Sequence, residues 1–168
     1  MHWIGEMVKK CVVEGDVKKV NPNGIDVGVS EIWKIPEDYD VHIHGNERRS
    51  TKEKQLMKPG EDDFYHLPRG VYEIRLGVKI KIPQRAVGYC KMRSTLIRFG
   101  SIKSESAVWD SGYEGYGTQL VFIPFNNLHI HKDEAWFQFV MYDSAETNET
   151  YAGYYQNETH KDAKSKHG

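Results

Sequence analysis

Apolar and polar residues alternate in short runs along most of the chain. Ile25, Val27 and Val29 alternate with Asp26, Gly28 and Ser30 in a run that continues to Trp33. Tyr72, Ile74 and Leu76 do the same, and Val78, Ile80 and Ile82 follow with Lys79 and Lys81 between them. A period of two sends successive side chains to opposite faces, so each run predicts a half-buried β-strand. Further strands are predicted over Ala86–Met92, Gln119–Ile123, Leu128–Ile130 and Trp136–Tyr142. Asn21-Pro22-Asn23-Gly24, Pro68-Arg69-Gly70 and Pro83-Gln84 are turn signals between them. Many short strands with regular turns and little helix predict an all-β barrel or sandwich.

Helical spacing occurs over residues 3–14, where Ile4, Met7, Val8 and Cys11 share a face, although Val12 and Val13 favour a strand there. Residues 45–63 are dense in mixed charge and predict a solvated loop. Residues 147–168 are polar and predict a tail that can order on binding. No repeat or linker divides the rest, so one domain is expected over residues 1–146, followed by that tail.

Composition narrows the function classes. The chain has 168 residues, enough for one domain with a full core, and 39% of them are hydrophobic. The net charge of −1 provides no basic field for a nucleic-acid backbone, so no nucleic-acid partner is expected. Cys11 and Cys90 lie far apart in no ligand spacing, and buried free thiols in a reducing compartment are expected. No apolar run approaches the ~18 residues of a membrane span. Met1–Glu6 has no charged segment followed by an apolar block. A cytoplasmic protein with no membrane partner is expected.

Candidate chemistry concentrates between Arg93 and Gly117. Arg93, Ser94, Thr95 and Arg98 put two guanidinium groups and two hydroxyls within six residues, a set suited to phosphate oxygens. The same string also suits an ordinary Ser/Thr turn beside surface arginines. Asp110 follows an apolar run and precedes a glycine-rich turn, so it should lie at a strand end beside a hairpin. There it could deprotonate a water or cap its own turn as an Asx-turn. Tyr113 could stack on a sugar or base, or belong to the core. Gly112, Gly115 and Gly117 would let main-chain groups approach a ligand, and equally suit a bulged hairpin. His42/His44 and His129/His131 each place two imidazoles on one strand face, with no further ligand at the spacing of a zinc site, and no protein-held metal is expected. A Gly-x-x-x-x-Gly-Lys-Ser/Thr loop, a His-x-Glu with Cys-x-x-Cys pattern and a Gly-x-Ser-x-Gly elbow are all missing.

Taken in order, these pieces resemble the dUTPase/dCTP deaminase superfamily. Asn21-Pro22-Asn23-Gly24-Ile25-Asp26-Val27 is similar to its first motif, a turn and an apolar-Asp-apolar strand. Arg93-Ser94-Thr95-Leu96-Ile97-Arg98-Phe99-Gly100 is similar to Arg-Ser-Ser-Leu-x-Arg-x-Gly. Ala107–Gly115 resembles the Asp-x-Gly-Tyr-x-Gly motif, and Trp136–Val140 the Ala-Gln-Leu-Val-Phe motif, with Phe137 where Ala is usual. Tyr151-Ala152-Gly153-Tyr154-Tyr155-Gln156-Asn157-Glu158 resembles the C-terminal Tyr-x-Gly-x-Tyr-Gln-Gly-Glu of archaeal-type members.

The resemblance implies a distorted, jelly-roll-like β-barrel and a dUTP diphosphatase that forms dUMP and pyrophosphate with Mg²⁺ carried mainly on the phosphates. It implies Asp110 as base, Ser94 beside the leaving oxygen and Gln138 on the phosphate or water network. Arg93, Thr95, Arg98, Tyr113, Gln119, Tyr155 and Gln156 are the implied substrate-binding residues, with Asp26 in support. Tyr113 would pack on the sugar and the main chain from about Asp110 to Gln119 would read uracil. A homotrimer with sites between subunits is implied. Deaminating members carry a proton-handling Glu on the strand after the Asp-x-Gly motif. Here Gly117–Ile123 contains none, and Gln119 cannot exchange a proton at neutral pH. The archaeal Arg after the second Gly is Tyr116, and the Lys before the tail Tyr-Gln is Tyr154. Lys161, Lys164 or Lys166 would have to supply that charge. The alternatives are a dCTP deaminase, alone or coupled to hydrolysis, and a non-catalytic nucleotide-binding regulatory protein.

Overall fold

The structure is a computed structural model that describes residues 1–45, 47–105 and 107–157. A five-residue helix α1 (Gly5–Lys9) leads into β1 (Val12–Gly15), β2 (Lys19–Asn21), β3 (Gly24–Val27) and β4 (Val29–Lys34). Then come β5 (Val41–His44), β6 (Glu47–Ser50), β7 (Gln55–Met57), the long β8 (Phe64–Leu76), β9 (Val78–Lys81) and β10 (Ala86–Met92). A second short helix, α2 (Ser94–Arg98), precedes β11 (Ile102–Lys103), β12 (Glu114–Gly115), β13 (Thr118–His131) and β14 (Phe137–Asp143).

These strands pair antiparallel in three sheets and a ribbon. The orders are β11-β13-β8-β4-β7, β10-β14-β3-β2 and β1-β9-β12, with β5-β6 apart. Ile32, Tyr72, Ile74, Val121 and Ile123 of the first sheet face Ile25, Val27, Phe137 and Phe139 of the second in one buried cluster with Val78 and Ile80. Trp136 is fully buried in it. The architecture is all-β, as expected. Among the described residues the ladders form separate sheets rather than one continuous closed barrel.

Several local expectations change. Residues 3–14 divide into α1 and β1, because helical spacing ends where the β-branched pair Val12-Val13 begins. The run from Ile25 to Trp33 is two strands in different sheets, broken at Gly28, whose carbonyl accepts the Gly77 N–H at 2.9 Å. The 45–63 insertion is not a plain loop. β6 pairs with β5 through Val41↔Ser50 and His42↔Arg49, and β7 joins the edge of β4 through Ile32↔Met57. Cys11 and Cys90 are both buried and free.

The β8–β13 ribbon positions the site. Its register runs from Thr118↔Arg75 to His131↔Phe64, with an irregularity between Ile123 and Asn127. Directly paired residues share a face, so Glu73 and Arg75 lie with Leu120 and Thr118, while Ile74 and Gln119 face the core.

Candidate active site

The turn that carries Asp110 is sewn to β10, β9 and the segment after it by main-chain bonds. Gly88 and Trp109 exchange N–H···O bonds of 3.0 Å in both directions. Ile82 receives the Gly112 N–H at 3.0 Å and donates to the Tyr113 carbonyl at 2.8 Å. The Ser111 hydroxyl donates to the Ala86 carbonyl at 2.8 Å. The turn itself closes through the Tyr113 N–H to the Asp110 carbonyl at 3.0 Å. The Asp110 carboxylate therefore does not cap its own turn. It is exposed and meets no hydrogen-bond donor or ion-pair partner among the described residues.

Beside it opens a cavity of about 420 Å³, within the range of small-molecule sites. Trp109 and Tyr113 form its aromatic floor, edge to face with centroids 5.0 Å apart, and Phe139 backs Trp109 at 4.7 Å. Gly117 lets the ring lie there. Its φ is +65°, and a Cβ would stand 2.1 Å from Trp109 Cζ2. Glu73 and Thr118 line it as well, with Tyr151 and Tyr155 of the tail on another side.

The tail makes this side, the roof of the cavity. The Tyr151 N–H donates to the Ser111 carbonyl at 2.9 Å, and its ring meets Tyr113 at 5.3 Å. Gln156 grips the Asp110 turn at two points, donating from Nε2 to the Gly112 carbonyl at 2.8 Å and accepting the Glu114 N–H at Oε1 at 3.0 Å. Two of the main-chain groups expected to read a base are thus already occupied. Arg48 of β6 donates to the Tyr155 hydroxyl at 2.6 Å and stacks over Tyr154 at 4.6 Å. Glu158, Lys161, Lys164 and Lys166 lie outside the described residues.

The cationic cluster sits elsewhere. Arg93 Nε pairs with Asp26 at 3.1 Å, and Asp26, itself buried, accepts from Asn21 Nδ2 at 2.7 Å. Arg93 also donates to the Ala135 carbonyl at 3.4 Å. Arg98 reaches back one helical turn to the Ser94 hydroxyl at 3.4 Å. Gln138 lies on β14 opposite Asp26 on one side and Lys91 on the other. Arg93 is five residues along the chain from Gly88, the neighbour of Trp109, or about 16 Å of strand. One chain brings Asp110, Tyr113, Tyr155 and Gln156 together. It gathers Arg93, Ser94, Thr95, Arg98, Gln138 and Asp26 at a different place. Gln119 belongs to neither group, because it is 2% exposed on the core face of β13 with no side-chain hydrogen bond among the described residues.

Sequence reasoning passed over Glu73. It is 6% exposed in the cavity wall, bonded to Lys54 Nζ, with Oε1 3.6 Å from Arg75 Nη2. Arg75 Nε is 3.7 Å from Glu31. The available signal was two opposite charges flanking Ile74 in an otherwise apolar strand.

The antiparallel sheets carry the Asp110 turn and the Arg-Ser-Thr start of α2 whose sequences resemble the dUTPase/dCTP deaminase motifs. A model described as dCTP deaminase-like matches residues 3–144, and the chain belongs to that family. It is 34% identical over 145 residues, 85% of this chain and 84% of the relative, to a probable deoxyuridine 5'-triphosphate nucleotidohydrolase of Methanosarcina barkeri. It is 30% identical over 139 residues, 83% of this chain and 88% of the relative, to the deoxyuridine 5'-triphosphate nucleotidohydrolase of Methanocaldococcus jannaschii. Among solved structures, the 2'-deoxycytidine 5'-triphosphate deaminase of Agrobacterium tumefaciens matches with a TM-score of 0.62 at 12% identity, over 83% of this chain and 46% of that one. That likeness concerns the fold. No helix among the described residues is long and apolar enough to cross a membrane.

Proposed function

We propose that the chain is a dUTP diphosphatase acting on free nucleotide in the cytoplasm. The observation that carries this reading is the exposed Asp110 carboxylate, without a partner among the described residues, lining an aromatic, nucleoside-sized cavity in a chain whose relatives bear the name of that activity. Asp110 takes a proton from water as the water oxygen attacks the α-phosphorus. The bond from the α-phosphorus to the bridging oxygen breaks, and pyrophosphate leaves. Tyr113 packs on the deoxyribose, and Tyr155 and Gln156 hold the roof.

Arg93, Ser94, Thr95, Arg98 and Gln138 bind the phosphates, with Ser94 nearest the leaving oxygen. Asp26 sets the direction of the Arg93 guanidinium. The distance along β10 argues that these groups serve the cavity of a second copy. Ile97, Phe99 and Ile102, apolar and exposed around α2, suit a subunit contact. A homotrimer with sites between subunits accounts for both features. Among the described residues no three His, Cys, Asp or Glu side chains cluster as metal ligands, so Mg²⁺ would be held chiefly by the substrate's phosphate oxygens. Bound there, it would neutralise charge on the departing pyrophosphate.

Pyrophosphate release from dUTP and Mg²⁺ tests the reading. Asp110→Asn should lower kcat by at least about a hundredfold and leave nucleotide binding largely intact. Full activity in that variant removes Asp110 as the base. A second reading, dCTP deamination, is favoured by one observation: Glu73 stands in the cavity wall opposite Leu120, although β13 carries no carboxylate of its own there. Ammonia release from dCTP would establish it. Tight dUTP binding with no product would instead mark a regulatory nucleotide-binding protein.

A further inference from the structure

Glu73 is a carboxylate that the hydrolysis above leaves unused. It lines the same cavity as Asp110, and is 6% exposed where Asp110 is exposed. A nucleotide with its α-phosphate at Asp110 and its base in the cavity can set that base against Glu73.

The surroundings of Glu73 fix what it can do. Lys54 bonds one of its oxygens, Arg75 lies 3.6 Å from the other, and Glu31 is on the far side of Arg75. Two positive and two negative groups make this partly buried quartet charge-balanced, which offsets the burial of Glu73 and Arg75. A carboxylate has about four lone-pair directions and no donor when ionised. The bond to Lys54 leaves acceptor capacity for the cavity. Uracil presents a donor at N3–H on the edge that carries its 4-oxo group. Cytosine presents a lone pair at N3. An acceptor fixed in the cavity wall complements the first and opposes the second. The need for it is sharpened by Gln156, which already holds the Gly112 carbonyl and the Glu114 N–H.

We propose that Glu73 is a specificity-determining residue that accepts the N3–H of uracil, with Lys54 and Arg75 as the positioning residues that hold its carboxylate. The proposal rests on the reading of the cavity as a dUTP site. It implies no discrimination against thymine, which has the same N3–H.

The test compares dUTP with dCTP in wild type, Glu73→Gln and Lys54→Met. Two quantities are measured: kcat/KM for pyrophosphate release, and Kd for the non-hydrolysable α,β-imido analogues of both nucleotides. The Gln amide can turn either a donor or an acceptor to the base. Glu73→Gln should therefore shrink the preference for dUTP by about 10- to 100-fold, through KM and analogue Kd rather than kcat. Lys54→Met should move the preference the same way by a smaller factor. Thermal melting confirms that each variant is folded, and the analogues report binding even where turnover is lost. An unchanged dUTP/dCTP ratio in folded Glu73→Gln overturns the proposal, as does an equal loss for both nucleotides. Ammonia release from dCTP that Glu73→Gln abolishes would make Glu73 a proton carrier and not a reader. Wild-type protein that neither hydrolyses dUTP nor binds its analogue would overturn the dUTP reading itself, and this inference with it.

Discussion

Gly117→Ala is expected to destabilise the protein through two separable effects. The first is the backbone. Gly117 has φ +65°, and an L-residue held in the left-handed region is less stable by about 1–2 kcal/mol. The second is steric. A Cβ would stand 2.1 Å from Trp109 Cζ2 and 2.5 Å from Cη2, far inside the ~3.5–4.0 Å optimum between carbons. The ring cannot simply swing away, because it is 6% exposed and wedged against Phe139 and Tyr113. Overpacking of this kind costs about 1–3 kcal/mol. The sum, about 2–5 kcal/mol, is a large share of a typical net stability of about 5–15 kcal/mol. For a chain of this size it corresponds to a fall in Tm of about 4–20 °C. Urea and thermal unfolding of Gly117→Ala, Trp109→Phe and the double variant separate the effects. Phe lacks the benzo ring that carries both clashing atoms, so the cycle should return a coupling of about 1–3 kcal/mol and leave the backbone part uncompensated. Additivity within about 0.5 kcal/mol would refute the steric account. A total loss below about 1 kcal/mol would refute the backbone account as well.

Two further expectations concern titrating groups. Burial pushes the Cys90 thiol up to about 12, so Ellman's reagent at pH 8 should leave it unreacted in native protein, whereas denatured protein should release both thiols. Rapid native labelling of Cys90 would contradict its burial. Lys79 at 2.9 Å, aided by Lys81 at 3.5 Å, holds the Glu114 carboxyl below its ordinary range. A depressed carboxyl adds stability above its unfolded pKa and loses it as pH falls through the folded one. Wild type should therefore exceed Glu114→Gln by at most about 1 kcal/mol at neutral pH, this being a partly exposed pair. The two stabilities should converge as pH falls through the depressed folded pKa of Glu114. A gap that persists in acid would assign the effect to something other than the charge.

The strands were legible where alternation met a core. Ala86–Met92 is β10 to the residue, and Trp136–Tyr142 is β14 shifted by one. Gly28 was read through because a break between sheets leaves the local alternation intact. The insertion was misread because β5 is exposed along its whole length and the half-buried positions of β6 are Arg48 and Ser50, so neither strand shows an apolar period. The turn at Asp110 could be placed from local turn chemistry alone, but the expected hairpin is absent among the described residues, because Trp109 pairs with Gly88 and β12 with β9. Glu73 could not be placed that way. Its partners Lys54 and Glu31 come from the loop before β7 and from β4, and only the folded register shows that a polar position in β8 faces a cavity and not water. Gln119 failed in the opposite sense, as a polar residue on the core face of its strand.

The contact of Arg48 with Tyr154 and Tyr155 ties the two segments that look most expendable in the sequence, the charged insertion and the polar tail. Segments of that kind usually drift independently in length and composition between relatives. Here a change in the β5–β6 ribbon alters what the tail rests on, and a change in the tail strands an arginine. The two form one heritable unit, so a chimera that takes its insertion from one relative and its tail from another should lose the roof of the cavity even when each parent keeps it.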